Sequence, residues 1–193
     1  LFNYRYSTLG VFKALGINFG TGASLPIYQD LNYKVTTNVG KKGLLSLFGI
    51  AGNSRIDLLG KNVDTSGANF FGTAYSNIIT RYATTITGLS YRHNITANTT
   101  GSITLGYSTT QEKYTADSIS YIDRNIVLPN GAGDLSTSKI SAVANVSHKF
   151  NAKNSLYAGV IYDHTIFDLF NKDVMNGTID RVFVNVADDY GLG

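Results

Sequence analysis

Three histidines, His93, His148 and His164, are the side chains of this 193-residue sequence best suited to metal binding or proton transfer. A zinc or iron site needs three or more convergent ligands, and these three fall on separate segments with no ligand spacing between them. Asp163, Asp168 and Asp173 follow one another at short intervals, with Asp180 beyond. Paired carboxylates can serve as general acid and base; here they read as the solvated end of one strand and its loop. Serine is abundant, but no Gly-x-Ser-x-Gly elbow presents one as a nucleophile. Gly20-Thr21-Gly22-Ala23-Ser24 has the small residues of a phosphate loop without its lysine or its following helix. Asn94-Ile95-Thr96, Asn98-Thr99-Thr100, Asn145-Val146-Ser147 and Asn176-Gly177-Thr178 match a glycosylation sequon and read as accidents of Asn/Thr-rich turns. The expectation is no catalytic residue, no metal, no cofactor, and a protein that is not an enzyme.

The elements that carry these residues are strands. Hydrophobic residues make up 43% and charged residues only 15%, against a usual charged share of about 25%. Tyr (13) and Phe (10) are frequent, Gly (20) is abundant and Pro (2) is scarce, which suits half-apolar strands and not a disordered chain. Cysteine is absent, which excludes disulfides and thiolate metal sites. A net charge of +3 without a dense basic patch argues against nucleic acid as a partner. No run of about 20 apolar residues offers a transmembrane helix. Strands that cross a bilayer need only about 9–11 residues of alternating polarity.

That alternation is clearest from Ile140 to Phe150, where Ile140, Ala142, Ala144 and Val146 share one side with His148 and Phe150, while Ser141, Val143, Asn145, Ser147 and Lys149, largely polar, occupy the other. Asn151-Ala152-Lys153-Asn154 then supplies a tight turn, and Leu156, Ala158, Val160 and Tyr162 open the returning strand. A second pair runs from Tyr28 to Asn38, turns at Val39-Gly40-Lys41-Lys42-Gly43 and returns from Leu44 to Leu58. A third runs from about Ile78 to Ile95, turns at 96–100 and continues from Ser102 to about Tyr121. Within it, Tyr82 and Ile86 share one parity and Leu89 and Tyr91 the other, which predicts a bulge near Gly88. Thr8 to Gly16 has Leu9, Phe12 and Leu15 at helical spacing and predicts one short helical turn in a loop from about Thr8 to Ile27.

Longer connections are expected over 59–77, 122–137 and 171–180. Short turns at one end and long loops at the other are the pattern of an outer-membrane barrel. Tyr91, Phe150 and Tyr157 near the short turns, and Tyr114, Tyr121, Tyr162, Phe167 and Phe170 towards the loops, are expected to form aromatic girdles at the two interfaces. Ala144, Val146, Val160 and Tyr162 are expected to face lipid. Binding residues concentrate on long loops held by a rigid scaffold, so Asp64, Asn69, Arg124, Asn130 and Asp134 are the candidate ligand contacts. Lys41, Lys42, Lys149 and Lys153 occupy short turns that carry no acid, where they serve solubility and edge protection.

Three stretches carry a family resemblance: Asn3-Tyr4-Arg5-Tyr6-Ser7-Thr8-Leu9-Gly10, Pro26-Ile27-Tyr28-Gln29-Asp30-Leu31-Asn32-Tyr33-Lys34 and Leu47-Phe48-Gly49-Ile50-Ala51-Gly52-Asn53-Ser54. They resemble the mid-barrel of TonB-dependent outer-membrane receptors, most of all the Bacteroidetes group with a carboxypeptidase-like regulatory domain ahead of the plug. Ser147-His148-Lys149-Phe150-Asn151-Ala152-Lys153-Asn154-Ser155-Leu156 looks like a later hairpin of the same barrel. The resemblance implies an all-β, antiparallel up-and-down meander: about eight strands of a transmembrane barrel of about 22 strands, closed around a plug. It also implies a Gram-negative outer-membrane location and import of a scarce ligand (siderophore, cobalamin, glycan or peptide) with energy relayed by TonB. On this reading residues 1–193 are a partial barrel segment with no second domain, internal to a longer protein. Its partners are outer-membrane lipid, the rest of the barrel, the plug, and the TonB complex reached through the plug. The competing readings are a small autonomous outer-membrane barrel with a structural or adhesive role, and a soluble all-β binding module of sandwich type.

Overall fold

The computed structural model describes residues 1–7, 15, 26–60, 74–175 and 178–192, with Met175 and the last stretch described by their backbone. Among these, eight strands follow one another in space as they do in sequence: β1 (Phe2–Tyr6), β2 (Ile27–Val39), β3 (Gly43–Leu59), β4 (Ser76–Asn94), β5 (Thr99–Ile119), β6 (Val127–Lys149), β7 (Ser155–Met175) and β8 (Thr178–Leu192). Every neighbouring pair is antiparallel, so the chain is an all-β up-and-down meander. The expected helical turn over Thr8–Gly16 and most of the loop around it lie outside the described residues.

The sheet is a single layer. Among the described residues, Ile119 and Val174 are the buried apolar side chains, whereas Leu105, Ile103, Val160 and Leu47 remain 54%, 56%, 64% and 44% exposed. Strands β4 to β7 have 19, 21, 23 and 21 residues, about twice what a bilayer crossing needs.

The three tight turns form where their residues predict them. Gly40 adopts φ 66°, a left-handed conformation that costs an L-residue with a Cβ about 1–2 kcal/mol. The Asn151 Oδ1 accepts from the backbone N–H of Lys153 and of Asn154, each at 2.9 Å, an Asx turn that closes β6 onto β7. At the third turn the N–H groups of Ile95 and Thr96 both donate to the Thr99 carbonyl, at 2.9 and 3.2 Å.

The opposite end differs from expectation. The stretch 122–137 is not a loop: β6 begins at Val127, and only 120–126 connects it to β5. There the Ser120 Oγ accepts from the Ile122 and Asp123 N–H groups, at 3.2 and 3.4 Å. Likewise 171–180 is mostly strand, since β7 runs to Met175 and β8 starts at Thr178. Polar side chains there ride on strands that extend past the apolar zone, where water supports either face. The bulge expected near Gly88 is also absent, because register runs unbroken through Phe48↔Gly88 and Gly88↔Gly106. The register shifts fall instead at Ala116/Asp117 and at Asp173/Val174.

Candidate functional site

Residues paired across neighbouring strands share a face, so the register sorts the sheet into rows. On one face, the row Val35–Leu47–Leu89–Leu105–Ala142–Tyr162 is apolar at every position across β2 to β7. Two rows lie on its turn side, Thr37–Leu45–Tyr91–Ile103–Ala144–Val160 and Val39–Gly43–His93–Gly101–Val146–Ala158. Two lie on its loop side, Tyr33–Gly49–Thr87–Tyr107–Ile140–His164 and Leu31–Ala51–Thr85–Thr109–Ser138–Ile166. These rows form a belt. Each step of two residues is about 6.8 Å along the strand, so at a tilt of about 40° the belt stands about 20 Å high, close to the band of about 25 Å on membrane barrels. Ala144, Val146, Val160 and Tyr162 all lie on it.

Within the belt Tyr33 lies flat over Gly49, where a Cβ would overlap the ring, and its hydroxyl shares a hydrogen bond with the Thr87 Oγ1 at 2.8 Å. Near the turns, the His93 Nδ1 meets the Tyr91 hydroxyl at 3.0 Å and the His148 Nδ1 meets the Thr99 Oγ1 at 2.8 Å. Among the described residues, no three of His, Cys, Asp and Glu gather as metal ligands would.

Behind the belt, the opposite face is mostly polar: Thr36–Ser46–Ser90–Thr104–Val143–Ile161 and Asn38–Leu44–Arg92–Ser102–Asn145–Gly159 are two of its rows, and Phe48, Ile50 and Ile86 are apolar members of two others. Ser90 and Thr104 join at 2.9 Å, Ser141 donates to Asp163 at 2.5 Å, and the Lys139 Nζ reaches Asp163 at 3.5 Å. Towards the loops the two faces exchange character. The belt face turns polar in the rows Gln29–Asn53–Ala83–Gln111–Ser136–Asp168 and Ile27–Arg55–Arg81–Lys113–Asp134–Phe170. The opposite face becomes apolar and aromatic with Ile56, Leu58, Ile78, Tyr82, Tyr114, Leu135, Phe167 and Leu169. This exchange, not a bulge, is why the parity of apolar residues changes along β4.

The aromatic end of the opposite face is built closely. The Tyr114 ring lies against Gly133, where a Cβ would overlap it, and its hydroxyl donates to the Asn171 Oδ1 at 2.5 Å. The Tyr82 hydroxyl donates to the Glu112 Oε1 at 3.1 Å; desolvation first, and then that hydrogen bond and the Glu112 charge, hold the Tyr82 phenol above its ordinary value. Tyr114, Phe167 and Tyr157 therefore do not belong to a girdle on the belt face; Tyr91 and Phe170 lie on that face, and Tyr162 lies in its central row and not at an edge. Sequence reading missed this aromatic set because it treated Tyr and Phe near strand ends as one class. The parity of Ile78, Tyr82 and Ile86 was the signal available.

The five candidate contacts do not converge. Arg124, in the connection 120–126, donates from Nη2 to the Gly60 carbonyl at 2.8 Å and lies 5.7 Å over the Tyr75 ring, which in turn meets Tyr121 at 4.1 Å. It ties the β5–β6 connection to the end of β3. Asn130 is the extra residue of the β5–β6 irregularity, lying between Pro129, opposite Asp117, and Gly131, opposite Ala116. Asp134 sits on the belt face of β6, accepting from Gln111 at 2.8 Å and pairing with Lys113 at 2.9 Å. Asp64 and Asn69 lie outside the described residues.

No protein-family model matches the sequence, and no curated protein does either. Among solved structures, the chain is similar to the ferric yersiniabactin uptake receptor FyuA from Yersinia pestis, with a TM-score of 0.63 at 13% identity. The match covers 88% of this chain and 24% of the receptor chain. The chain has the fold of a barrel-wall segment. At that identity the likeness concerns the fold alone. The wall segment spans about a quarter of the receptor it matches, with the belt on one face and the aromatic end on the other.

Proposed function

We propose that the chain is a section of the wall of a TonB-dependent outer-membrane transporter, with the belt against lipid and the opposite face towards a plugged lumen. The observation that carries this reading is the exchange of polarity along the strands, clearest on β4 and β7. Apolar side chains cover the belt face where the other face is polar, and the order reverses towards the loops. A wall crossing a bilayer of limited thickness and continuing into water outside needs that pattern. A soluble sandwich would instead keep one apolar face along the full strand to pack a second sheet. The open order β1 to β8 favours a piece of a larger barrel over a small closed one.

On this reading the tight turns are periplasmic, and the aromatic set around Tyr82, Tyr114 and Phe167 lines the outer mouth. Asp64, Asn69, Arg124, Asn130 and Asp134 contribute from the loop side. The transported ligand is a siderophore, cobalamin, glycan or peptide, and the resemblance of the strand phrases favours a receptor of the Bacteroidetes group with a regulatory domain ahead of its plug.

These 193 residues have no cysteine, so one introduced into them reports its own accessibility once any elsewhere in the full-length protein is replaced. Single cysteines are placed at Thr104 and Leu105, adjacent residues on opposite faces, and cells are treated with a membrane-impermeant maleimide after outer-membrane permeabilisation. Thr104→Cys is expected to label and Leu105→Cys to stay protected until detergent is added. Equal labelling of the two before detergent would overturn the membrane-wall reading.

A further inference from the structure

Register places Arg55 opposite Arg81 and Arg81 opposite Lys113, three cations abreast on β3, β4 and β5. Like charges directly opposite one another on neighbouring strands repel. Two of them are offset: the Asp57 Oδ1 lies 2.6 Å from the Arg55 Nε, and the Asp134 Oδ2 lies 2.9 Å from the Lys113 Nζ. Arg81, between them, is exposed and makes no ion pair or side-chain hydrogen bond among the described residues. Three cations against two carboxylates leave a positive site centred on Arg81. The three side chains line a groove of about 330 Å³, together with Ile27, Asn53 and Gln111.

The position of this groove says what fills it. It lies on the belt face, two rows beyond the loop-side edge row Leu31–Ala51–Thr85, about 10 Å higher at a tilt of about 40°. A lipid whose chains lay along the belt would hold its headgroup at that height. A phosphomonoester carries about −1.5 to −2 charges and three acceptor oxygens, and Arg presents a planar fork that grips such a group with two parallel hydrogen bonds.

We propose that Arg55, Arg81 and Lys113 form a docking site on the outer wall for the phosphate of a phosphorylated lipid. Its acyl chains run down the belt below Ala83 and Asn53. The inference rests on the wall reading given above.

The test is native mass spectrometry of the full-length protein in nonionic detergent. The probes are a bis-phosphorylated acylated glucosamine disaccharide, the same lipid after removal of its phosphates, and sodium phosphate. The phosphorylated lipid is expected to be retained, and Arg81→Gln to raise its apparent dissociation constant about tenfold. Lys153→Gln, in a turn at the far end of the strands, should leave retention unchanged, and Arg81→Lys should retain part of it. Equal retention by Arg81→Gln, or equal retention of the dephosphorylated lipid, would overturn the site. Binding of sodium phosphate with the same Arg81 dependence, and no gain from acyl chains, would make it a free-anion site and overturn the lipid assignment. The cysteine test separates the two levels: a water-accessible Leu105→Cys defeats the wall itself. A protected Leu105→Cys with Arg81-independent binding defeats this inference alone.

Discussion

Charge placed into the belt one row at a time gives the strongest check on the membrane assignment. Ala142 lies in the third of five belt rows, Ala144 one row nearer the turns, and Val146 in the edge row. Each row changes depth by about 5 Å, from a rise of about 6.8 Å along a strand tilted by about 40°. An arginine near the midplane of a barrel's lipid face costs about 2–4 kcal/mol, falling to about 0–1 kcal/mol at the interface. Ala142→Arg should therefore lose about 2–4 kcal/mol of folding free energy, Val146→Arg no more than about 1 kcal/mol, and Ala144→Arg an intermediate amount. Asn145→Arg, beside Ala144 in sequence but on the polar face, should change stability by less than about 0.5 kcal/mol. The measurement is reversible urea unfolding of the full-length protein from lipid vesicles, read by far-ultraviolet circular dichroism and by electrophoretic mobility. A flat profile across Ala142, Ala144 and Val146, or a larger loss at Asn145 than at Ala142, would refute the depth argument.

Two further outcomes follow from the aromatic end. Gly133→Ala forces a methyl into the Tyr114 ring and should cost about 1–3 kcal/mol unless Tyr114 is also shortened, so the double variant Gly133→Ala with Tyr114→Ala should be less destabilised than the two single losses added together. Tyr82 should ionise above the ordinary tyrosine range, so Tyr82→Phe should remove a late component from the alkaline absorbance titration. Because the shift is upward, the phenol stays protonated and donating to Glu112 throughout neutral pH. Removal of an early component instead would contradict the geometry.

The hairpins were legible where one environment lies on each side of a strand. Ile140 to Phe150 alternates because it has a mainly apolar face and a mainly polar face along its whole length, and Asn151 declares its turn through its own side chain. The start of β6 was not legible, since Gly131 and Gly133 interrupt the pattern and Asp134 and Ser136 sit on a face that is apolar only farther down. Gly133 reads as a loop residue until Tyr114, far away in sequence, is seen to lie on it. The change of phase on β4 was visible, but one sequence does not distinguish an extra residue from a change of solvent. The cationic row was invisible for a related reason: Arg55, Arg81 and Lys113 become neighbours only through two registers fixed elsewhere along the strands. Of the candidate contacts, Arg124 was found by its place in a connection, while the ring and carbonyl it holds lie on segments that no local pattern links to it.

If the proposed membrane wall is correct, the exchange of polarity between the faces also sets a flotation line. If the sheet sank by one two-residue step, about 5 Å, it would draw Gln29, Asn53, Gln111 and Asp168 into hydrocarbon. A rise by the same step would lift Leu31, Ala51 and Ile166, on the loop-side edge row, into water. Both displacements carry a penalty, summed over six strands, so the wall rides at one draught. A pull transmitted along the barrel axis would meet a restoring force from the bilayer itself, with no anchor outside it.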